Sequence, residues 1–159
     1  MKLALQVVGF MTLISSPVQS QEFQFSPDAT KTCLASGTAF ELCVGASAAA
    51  CVEANGYATV VDTACYSLEA DWWDAQLNTI YPQVMEQARE MDQVNGQYAP
   101  SQAEALREMQ RAWIAFRDAT CRFEASQWGG GTGAGPAFSA CRMRITADQV
   151  RYLEGAGLN

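Results

Sequence analysis

The chain of 159 residues contains no histidine and very little lysine, and both gaps limit the chemistry that it can perform. Histidine is the usual base that activates a serine or cysteine nucleophile, so the common catalytic triads cannot form. Lys31 is the only lysine beyond the first two residues, so a serine–lysine pair is also hard to build. We therefore expect that the protein is not an enzyme.

The residue patterns that bind metals or nucleic acids are missing too. Without histidine, and without a Cys-x-x-Cys pair, zinc coordination is a weak alternative, and we expect no metal and no cofactor. Ten Lys and Arg stand against seventeen Asp and Glu, a formal net charge of −7. Phosphate binding needs clustered cations, so this balance argues against a nucleic-acid partner. It permits a cationic partner attracted by long-range steering, although an acidic surface also simply keeps a protein in solution.

No apolar run is long enough to cross a membrane. The longest follows Lys2, spans residues 3–14 and is too short for a bilayer, which needs about 20 apolar residues. The small residues Val18 and Ser20 stand just before an expected cleavage point, so we predict a signal peptide at 1–20. No cysteine lies near that point, so we expect no lipid anchor. Removal of Lys2 changes the net charge from −7 to −8, and the mature protein is predicted to be periplasmic or secreted.

Six cysteines are present, and all of them follow the predicted signal peptide. An even number in an exported chain predicts a framework of disulfides, although the sequence leaves several pairings open. The cysteines are Cys33, Cys43, Cys51, Cys65, Cys121 and Cys141. A cysteine nucleophile is not expected if all six are paired.

Helical periodicity predicts an all-α fold, a small antiparallel bundle of three to four helices stapled by disulfides. We expect a flexible N-terminal segment at 21–32 and a single helical domain at 33–159. The first helix is predicted around 40–53, in an alanine-rich stretch that ends at the turn signal Asn55-Gly56.

A long second helix is predicted from the recurrence of apolar residues every three or four positions. Asp62 or Thr63 is expected to cap its start, and Asn95-Gly96 to end it. Pro82 lies inside this helix and removes one backbone hydrogen bond, so we expect a kink or a break there.

Two further helices are predicted after this one. Ser101 and Glu104 form a capping box at the start of the third helix, whose apolar stripe includes Phe116. Glycine fills most of 129–136, so this stretch is predicted to be an irregular connector. The last helix is expected to begin at about Thr146.

The carboxylates and the tryptophans are the remaining candidates for site residues. Carboxylates such as Glu69 are interpreted as solvated helix faces, because nothing in the sequence places a pair of them in an apolar cleft. Trp73 and Trp113 lie on apolar stripes and are assigned to the core. Trp72 and Trp128 fit either the core or a binding surface, where exposed aromatic residues are enriched.

Polar residues at fixed positions beside the apolar stripes form a recognisable pattern. The motifs are Leu77-Asn78-x-x-Tyr81, Gln110-Arg111-Ala112-Trp113-Ile114, Arg117-Asp118-x-x-Cys121 and Thr146-x-x-x-x-Arg151-x-x-Leu153. Together with the glycine-rich loop and Cys141, they resemble the LprI-type lysozyme-inhibitor domain family over roughly residues 51–153.

The resemblance implies a small, exported, helical protein that binds lysozyme, the enzyme that cleaves bacterial peptidoglycan, and occludes its cleft. The alternative is a periplasmic binding or scaffold module for another envelope or cell-wall partner. The motif residues are interpreted mainly as structural. They are Leu77, Asn78, Tyr81, Gln110, Trp113, Arg117, Asp118 and Arg151.

The motif residues are expected to join neighbouring helices. Asn78 and Tyr81 are predicted to face the helix that carries Gln110, Trp113 and Arg117, in a shared hydrogen-bond network. A second contact is predicted for Asp118, which would pair with Arg151 of the last helix or with a local charge.

The cysteine pairs are assigned by position along the chain. Cys121 with Cys141 would close the glycine-rich loop. Local proximity favours Cys51 with Cys65, which leaves Cys33 with Cys43.

Overall fold

The computed structural model describes residues 23–156, which form six helices and contain no strand. The helices are α1 (Asp28–Ala35), α2 (Phe40–Cys43), α3 (Ala46–Asn55), α4 (Thr59–Asn95), α5 (Gln102–Ser126) and α6 (Ala134–Ala156). The predicted all-α class is therefore confirmed. The predicted signal peptide lies outside the described residues. No helix within 23–156 combines the length and the apolar character needed to cross a membrane.

Three long helices, α4, α5 and α6, form the bundle; α3 packs on α4, and α1 packs on α3 and α2. The core lies mainly between α4 and α6, where Trp73 and Leu77 meet Val150 and Leu153. Burying one such aliphatic side chain contributes about 1.5–3 kcal/mol. From α5, the half-buried Trp113 packs against the same cluster.

Helix α4 differs from its prediction at its start and at its proline. It begins at Thr59, and its N-cap residue Ala58 makes no side-chain capping bond. A break at Pro82 does not occur, since α4 runs unbroken to Asn95. The missing hydrogen bond costs a helix about 3 kcal/mol. Burial of apolar residues on both sides of the proline, at Leu77 and Met85, offsets this cost.

Helix α6 begins at Ala134, well before the expected start at Thr146. The prediction of an irregular stretch through residue 136 was therefore wrong at its end. Pro136 falls in the first turn of α6, where its missing N–H needs no partner. Gly135 allows α6 to approach α4 closely, because a Cβ there would lie 2.8 Å from the hydroxyl of Thr63.

The N-terminal part is more ordered than the sequence indicated. The segment expected to be flexible, 21–32, contains the first half of α1, and its residue Thr30 is completely buried. The single helix expected at 40–53 is divided into α2 and α3. Gly45 makes this division with φ of 95°, a left-handed conformation that favours glycine.

Three disulfides join consecutive helices and leave no cysteine free in the described chain. They link Cys33 to Cys43, Cys51 to Cys65, and Cys121 to Cys141. These are the pairs favoured by position along the chain. The first ties α1 to α2, the second α3 to α4, and the third α5 to α6. A disulfide that closes a loop of this size contributes about 3 kcal/mol, mainly by restricting the unfolded chain.

Candidate functional site

A shallow groove runs over α3 and the first part of α4, and it extends to α2 and α6. It consists of two depressions, of about 540 Å³ and about 610 Å³. Both are lined by Ala46, Ala49 and Tyr66, so they form one continuous surface. We call this surface the acidic groove. Its first depression includes residues of α2 and α6, and its second lies between α3 and α4.

The charge of the acidic groove is strongly one-sided. Its lining carries four carboxylates against a single basic residue, Arg144. The carboxylates are Glu41, Asp148, Glu53 and Asp62. Arg144 is itself paired with Glu124 at 2.7 Å, outside the groove. The groove therefore presents a surplus of negative charge.

The two halves of the acidic groove differ in how this charge is compensated. In the α2–α6 half, Glu41 and Asp148 both pair with Arg151, the latter at 3.5 Å. In the α3–α4 half, Glu53 and Asp62 form no salt bridge with any residue of 23–156. The uncompensated charge is thus concentrated between α3 and α4.

Large apolar side chains stand at the edges of the groove. Leu42 is 74% exposed in the first half and Tyr57 is 84% exposed in the second. Tyr57 follows Gly56, whose φ of 91° turns the chain between α3 and α4. Exposed aromatic and aliphatic side chains beside charged groups are characteristic of protein-binding surfaces.

Glu69 supports the floor of the groove from beneath and is completely buried. Its Oε1 accepts hydrogen bonds from the backbone N–H of Gly45 at 2.8 Å and from the Thr30 hydroxyl at 2.9 Å. Its Oε2 accepts from the N–H of Ala48 at 2.6 Å, and the Trp73 indole donates to Oε1 at 3.2 Å. The carboxylate therefore caps the start of α3, where the helix dipole favours negative charge.

The interpretation of Glu69 as a solvated surface residue was wrong. Glu69 lies four residues before Trp73 and eight before Leu77, on the face of α4 that enters the core. This spacing was available in the sequence and was the signal that the residue is buried. The sequence does not show which groups donate to this carboxylate, because three of the four come from other elements: α1, the α2–α3 connection and α3.

The rim of the α2–α6 half is built around Arg151. Its guanidinium bonds Glu41 and lies over the ring of Phe40, 4.6 Å from the centroid. The hydrogen bond from Arg151 lowers the pKa of Glu41, and the same bond raises the pKa of Arg151.

The expected pair between Asp118 and Arg151 is not formed. Asp118 instead accepts a hydrogen bond from its neighbour Arg117 at 3.0 Å, the local charge that was the second expectation.

The predicted network between α4 and α5 is present only in part. Asn78 is exposed and donates to Asp74 on its own helix at 2.9 Å. Arg117 of α5 reaches the same carboxylate at 3.8 Å and lies over the Trp113 ring at 4.9 Å. Asp74, which the sequence did not single out, therefore links the two motifs.

The other motif residues have mainly packing roles in the described structure. Leu77 is buried in the core, and the half-buried Tyr81 packs against it. Gln110 joins α5 to α6, since its side-chain oxygen accepts from Gln149 at 2.9 Å. None of the eight motif residues except Arg151 contacts the rim of the acidic groove described above. The expectation for Phe116 was wrong, because this side chain is 60% exposed.

The two tryptophans that fit either the core or a binding surface, Trp72 and Trp128, have different environments. Trp72 packs against the core, with its ring 4.5 Å from that of Trp73. Trp128 is exposed but its indole ring lies against Gly133, where a Cβ would overlap the ring. Neither residue lines the acidic groove.

Metal-binding geometry is absent from residues 23–156, in which no three Cys, Asp or Glu side chains converge to hold an ion. The groove therefore offers negative charge and apolar contact area rather than reactive groups. Such a surface is suited to binding a cationic partner.

Comparison with known proteins identifies one family. The profile described as Lysozyme inhibitor LprI matches residues 51–153. No curated protein and no solved structure matches the chain. The matched segment contains Glu53, Tyr57 and Asp62 of the α3–α4 half of the groove, together with α4, α5 and most of α6, whereas the first five residues of α3 precede it. The first two helices and the α2–α3 connection lie before it.

Proposed function

The chain belongs to the lysozyme inhibitor LprI family, and from this membership we propose that it inhibits lysozyme by binding it. The family match, which covers well over half of the chain, is the observation that carries the proposal. Inhibition would leave the cell wall intact, because the bound lysozyme could no longer cleave peptidoglycan. The protein performs no chemistry in this reaction.

The proposed mechanism is occlusion of the lysozyme cleft by a rigid acidic surface. Electrostatic attraction between this surface and a cationic lysozyme increases the association rate and makes binding sensitive to salt. Three disulfides hold the helices in place before binding. A preorganised surface loses little conformational entropy on association, which favours a tight complex.

We place the protein outside the cytoplasm, in the periplasm or beyond the cell. Disulfides form and persist in oxidising compartments, and all six cysteines are paired. The predicted signal peptide at 1–20 is consistent with export. This is also where the protein would meet a lysozyme that attacks the wall from outside.

A lysis assay tests the proposal directly. The oxidised, purified protein is titrated into suspensions of bacterial cell walls with purified lysozymes, one of each structural class, and turbidity is followed. We expect the protein to suppress stoichiometrically the lysis caused by at least one lysozyme class. Suppression should weaken as the salt concentration is raised from about 50 to about 300 mM, because salt shortens the range of electrostatic attraction. The reduced and alkylated protein serves as control. Unchanged lysis by every class at tenfold excess of the oxidised protein would refute the proposal.

A further inference from the structure

We infer that the α3–α4 half of the acidic groove is the docking surface, and that it receives a basic side chain of the lysozyme between Glu53 and Asp62. This inference rests on the proposed function, because it names the surface through which the inhibitor binds. The occupant is an Arg or Lys that projects from a cationic protein. Tyr57 and Tyr66 provide the aromatic contacts on either side.

The chemistry of the α3–α4 half matches such a side chain in both of its parts. Its carboxylates are free to accept hydrogen bonds, as neither forms a salt bridge within the described chain. A guanidinium donates paired hydrogen bonds to carboxylates and also stacks on aromatic rings. The depression of about 610 Å³ is large enough for the aliphatic stem to lie along the alanines of α3.

The α2–α6 half is less suitable for a cation. Arg151 already bonds Glu41 and Asp148, and Arg144 lines the same depression. A basic side chain that entered here would have to displace an existing ion pair or approach a like charge. The uncompensated half is therefore the better site for the charged contact.

The exposed aromatic face of α5 is the main competing surface, and its charge argues against it. Phe116 and Phe123 are exposed on this helix. Arg111 and Arg122 lie on the same helix and form no salt bridge in the part of the chain that is described. These two cations offset the free carboxylate of Glu108 on the same helix, so α5 lacks the surplus of negative charge that the groove presents to a cationic protein.

The groove is also rigid where the contact is placed. The Cys51–Cys65 disulfide joins α3 to α4, the two helices between which the contact is placed. Glu69 fixes the start of α3, and the turn at Gly56 sets the position of Tyr57. The charged and aromatic groups are thus held in place before the partner arrives, which limits the entropy lost on binding.

Two double variants with the same change of charge test this inference. Glu53→Gln with Asp62→Asn neutralises the groove, and Glu90→Gln with Glu108→Gln neutralises two exposed carboxylates that are likewise outside any salt bridge. Glu90 lies roughly 40 Å farther along α4 than Asp62, from the rise of the helix. Both variants lose two negative charges, so they change the net charge equally and differ only in where the charge is removed.

Binding of each variant to lysozyme is measured by biolayer interferometry at low and moderate salt. We expect the groove variant to bind about five- to tenfold more weakly than the wild type, mostly through faster dissociation. The distant variant should stay within about twofold, with any loss in the association rate. Thermal melting checks that both fold, since Asp62 lies in the first turn of α4 and its loss also weakens the helix slightly.

A pair of tyrosine variants gives an independent reading of the same surface. Tyr57→Ala should weaken binding by about tenfold, because an exposed aromatic residue at the centre of a contact is a typical anchor. Tyr98→Ala removes an equally exposed tyrosine from the distant α4–α5 connection and should have no effect. Neither side chain is part of the core, so both variants are expected to fold.

The outcomes separate the docking surface from the function itself. Absence of binding by the wild type to every lysozyme overturns both the function and this inference. Binding by the wild type that is weakened equally by the groove variants and the distant variants leaves the function standing and overturns the α3–α4 site. Selective loss in the Glu53/Asp62 and Tyr57 variants supports it.

Discussion

Replacing Glu69 by alanine is expected to unfold the domain or bring it close to unfolding, because four hydrogen-bond donors lose their acceptor. Two are backbone N–H groups, of Gly45 and Ala48, and two are side chains, the Thr30 hydroxyl and the Trp73 indole. Three of these bonds, from Thr30, Ala48 and Trp73, are buried, whereas the bond from Gly45 is partly buried.

The expected magnitude follows from these four bonds. A buried donor without a partner costs about 1–3 kcal/mol, so loss of the acceptor of the three buried donors alone should lower the free energy of unfolding of Glu69→Ala by at least about 3 kcal/mol. Small domains have a total of about 5–15 kcal/mol. Glu69→Gln keeps an oxygen for the three donors at Oε1 and places an amide against the N–H of Ala48. It should cost less, about 1–3 kcal/mol.

Urea unfolding, followed by circular dichroism and tryptophan fluorescence, measures this series. Glu108→Ala, an exposed change on α5, is the control and should stay within about 0.5 kcal/mol of the wild type. The order wild type, Glu69→Gln, Glu69→Ala is expected in the denaturation midpoints. A Glu69→Ala variant within about 1 kcal/mol of the wild type would show that water replaces the carboxylate, and the reasoning would fail.

Three further predictions concern single contacts. Arg117→Ala should lower the free energy of unfolding by about 1–2 kcal/mol, because the side chain loses its stacking on Trp113 and its ion pairs. Lysozyme binding should be retained; urea unfolding and interferometry measure the two quantities. Loss of binding in a fully stable variant would instead place Arg117 in the binding site. Glu41 has a lowered pKa, so its contribution to stability is present above the ordinary glutamate pKa and is lost as the pH falls through the lowered value. Arg151→Ala should raise the pKa of Glu41 toward its ordinary value in an NMR titration, and an unchanged titration would contradict the assigned pair. Replacing Cys51 and Cys65 by serine should cost about 3 kcal/mol in the same unfolding assay, and a loss under 1 kcal/mol would mean that the loop is already fixed by packing.

The helices of the bundle can be predicted because their signals are local. Apolar spacing correctly places Trp73 and Leu77 in the core. Ser101 is correctly identified as an N-cap, since its hydroxyl oxygen accepts from the N–H of Glu104 at 3.1 Å. These features depend on residues within one or two helical turns of each other, which a single sequence displays.

Contacts between distant elements are what the sequence does not display. Only half of the expected capping box forms, because the Glu104 carboxylate bonds Arg107. Asp92 of α4 instead accepts from the Ser101 hydroxyl and from the N–H groups of the next two residues. The hydrogen bond from Ser101 is the main reason that the pKa of Asp92 is lowered. The partner of Arg151 likewise proves to be Glu41, 110 positions away. The acidic groove could not be predicted for the same reason, because it exists only where α2, α3, α4 and α6 meet.

The six cysteines pair in chain order, the first with the second, the third with the fourth and the fifth with the sixth, and this order affects how the bonds can form. The three loops close over separations of 10, 14 and 20 residues, and none encloses or overlaps another. A chain that enters an oxidising compartment N-terminus first therefore meets the correct partner of each waiting thiol before any other cysteine appears. Oxidation in order of arrival would yield the native bonds without reshuffling, so we expect oxidative folding of this protein to need no disulfide isomerase.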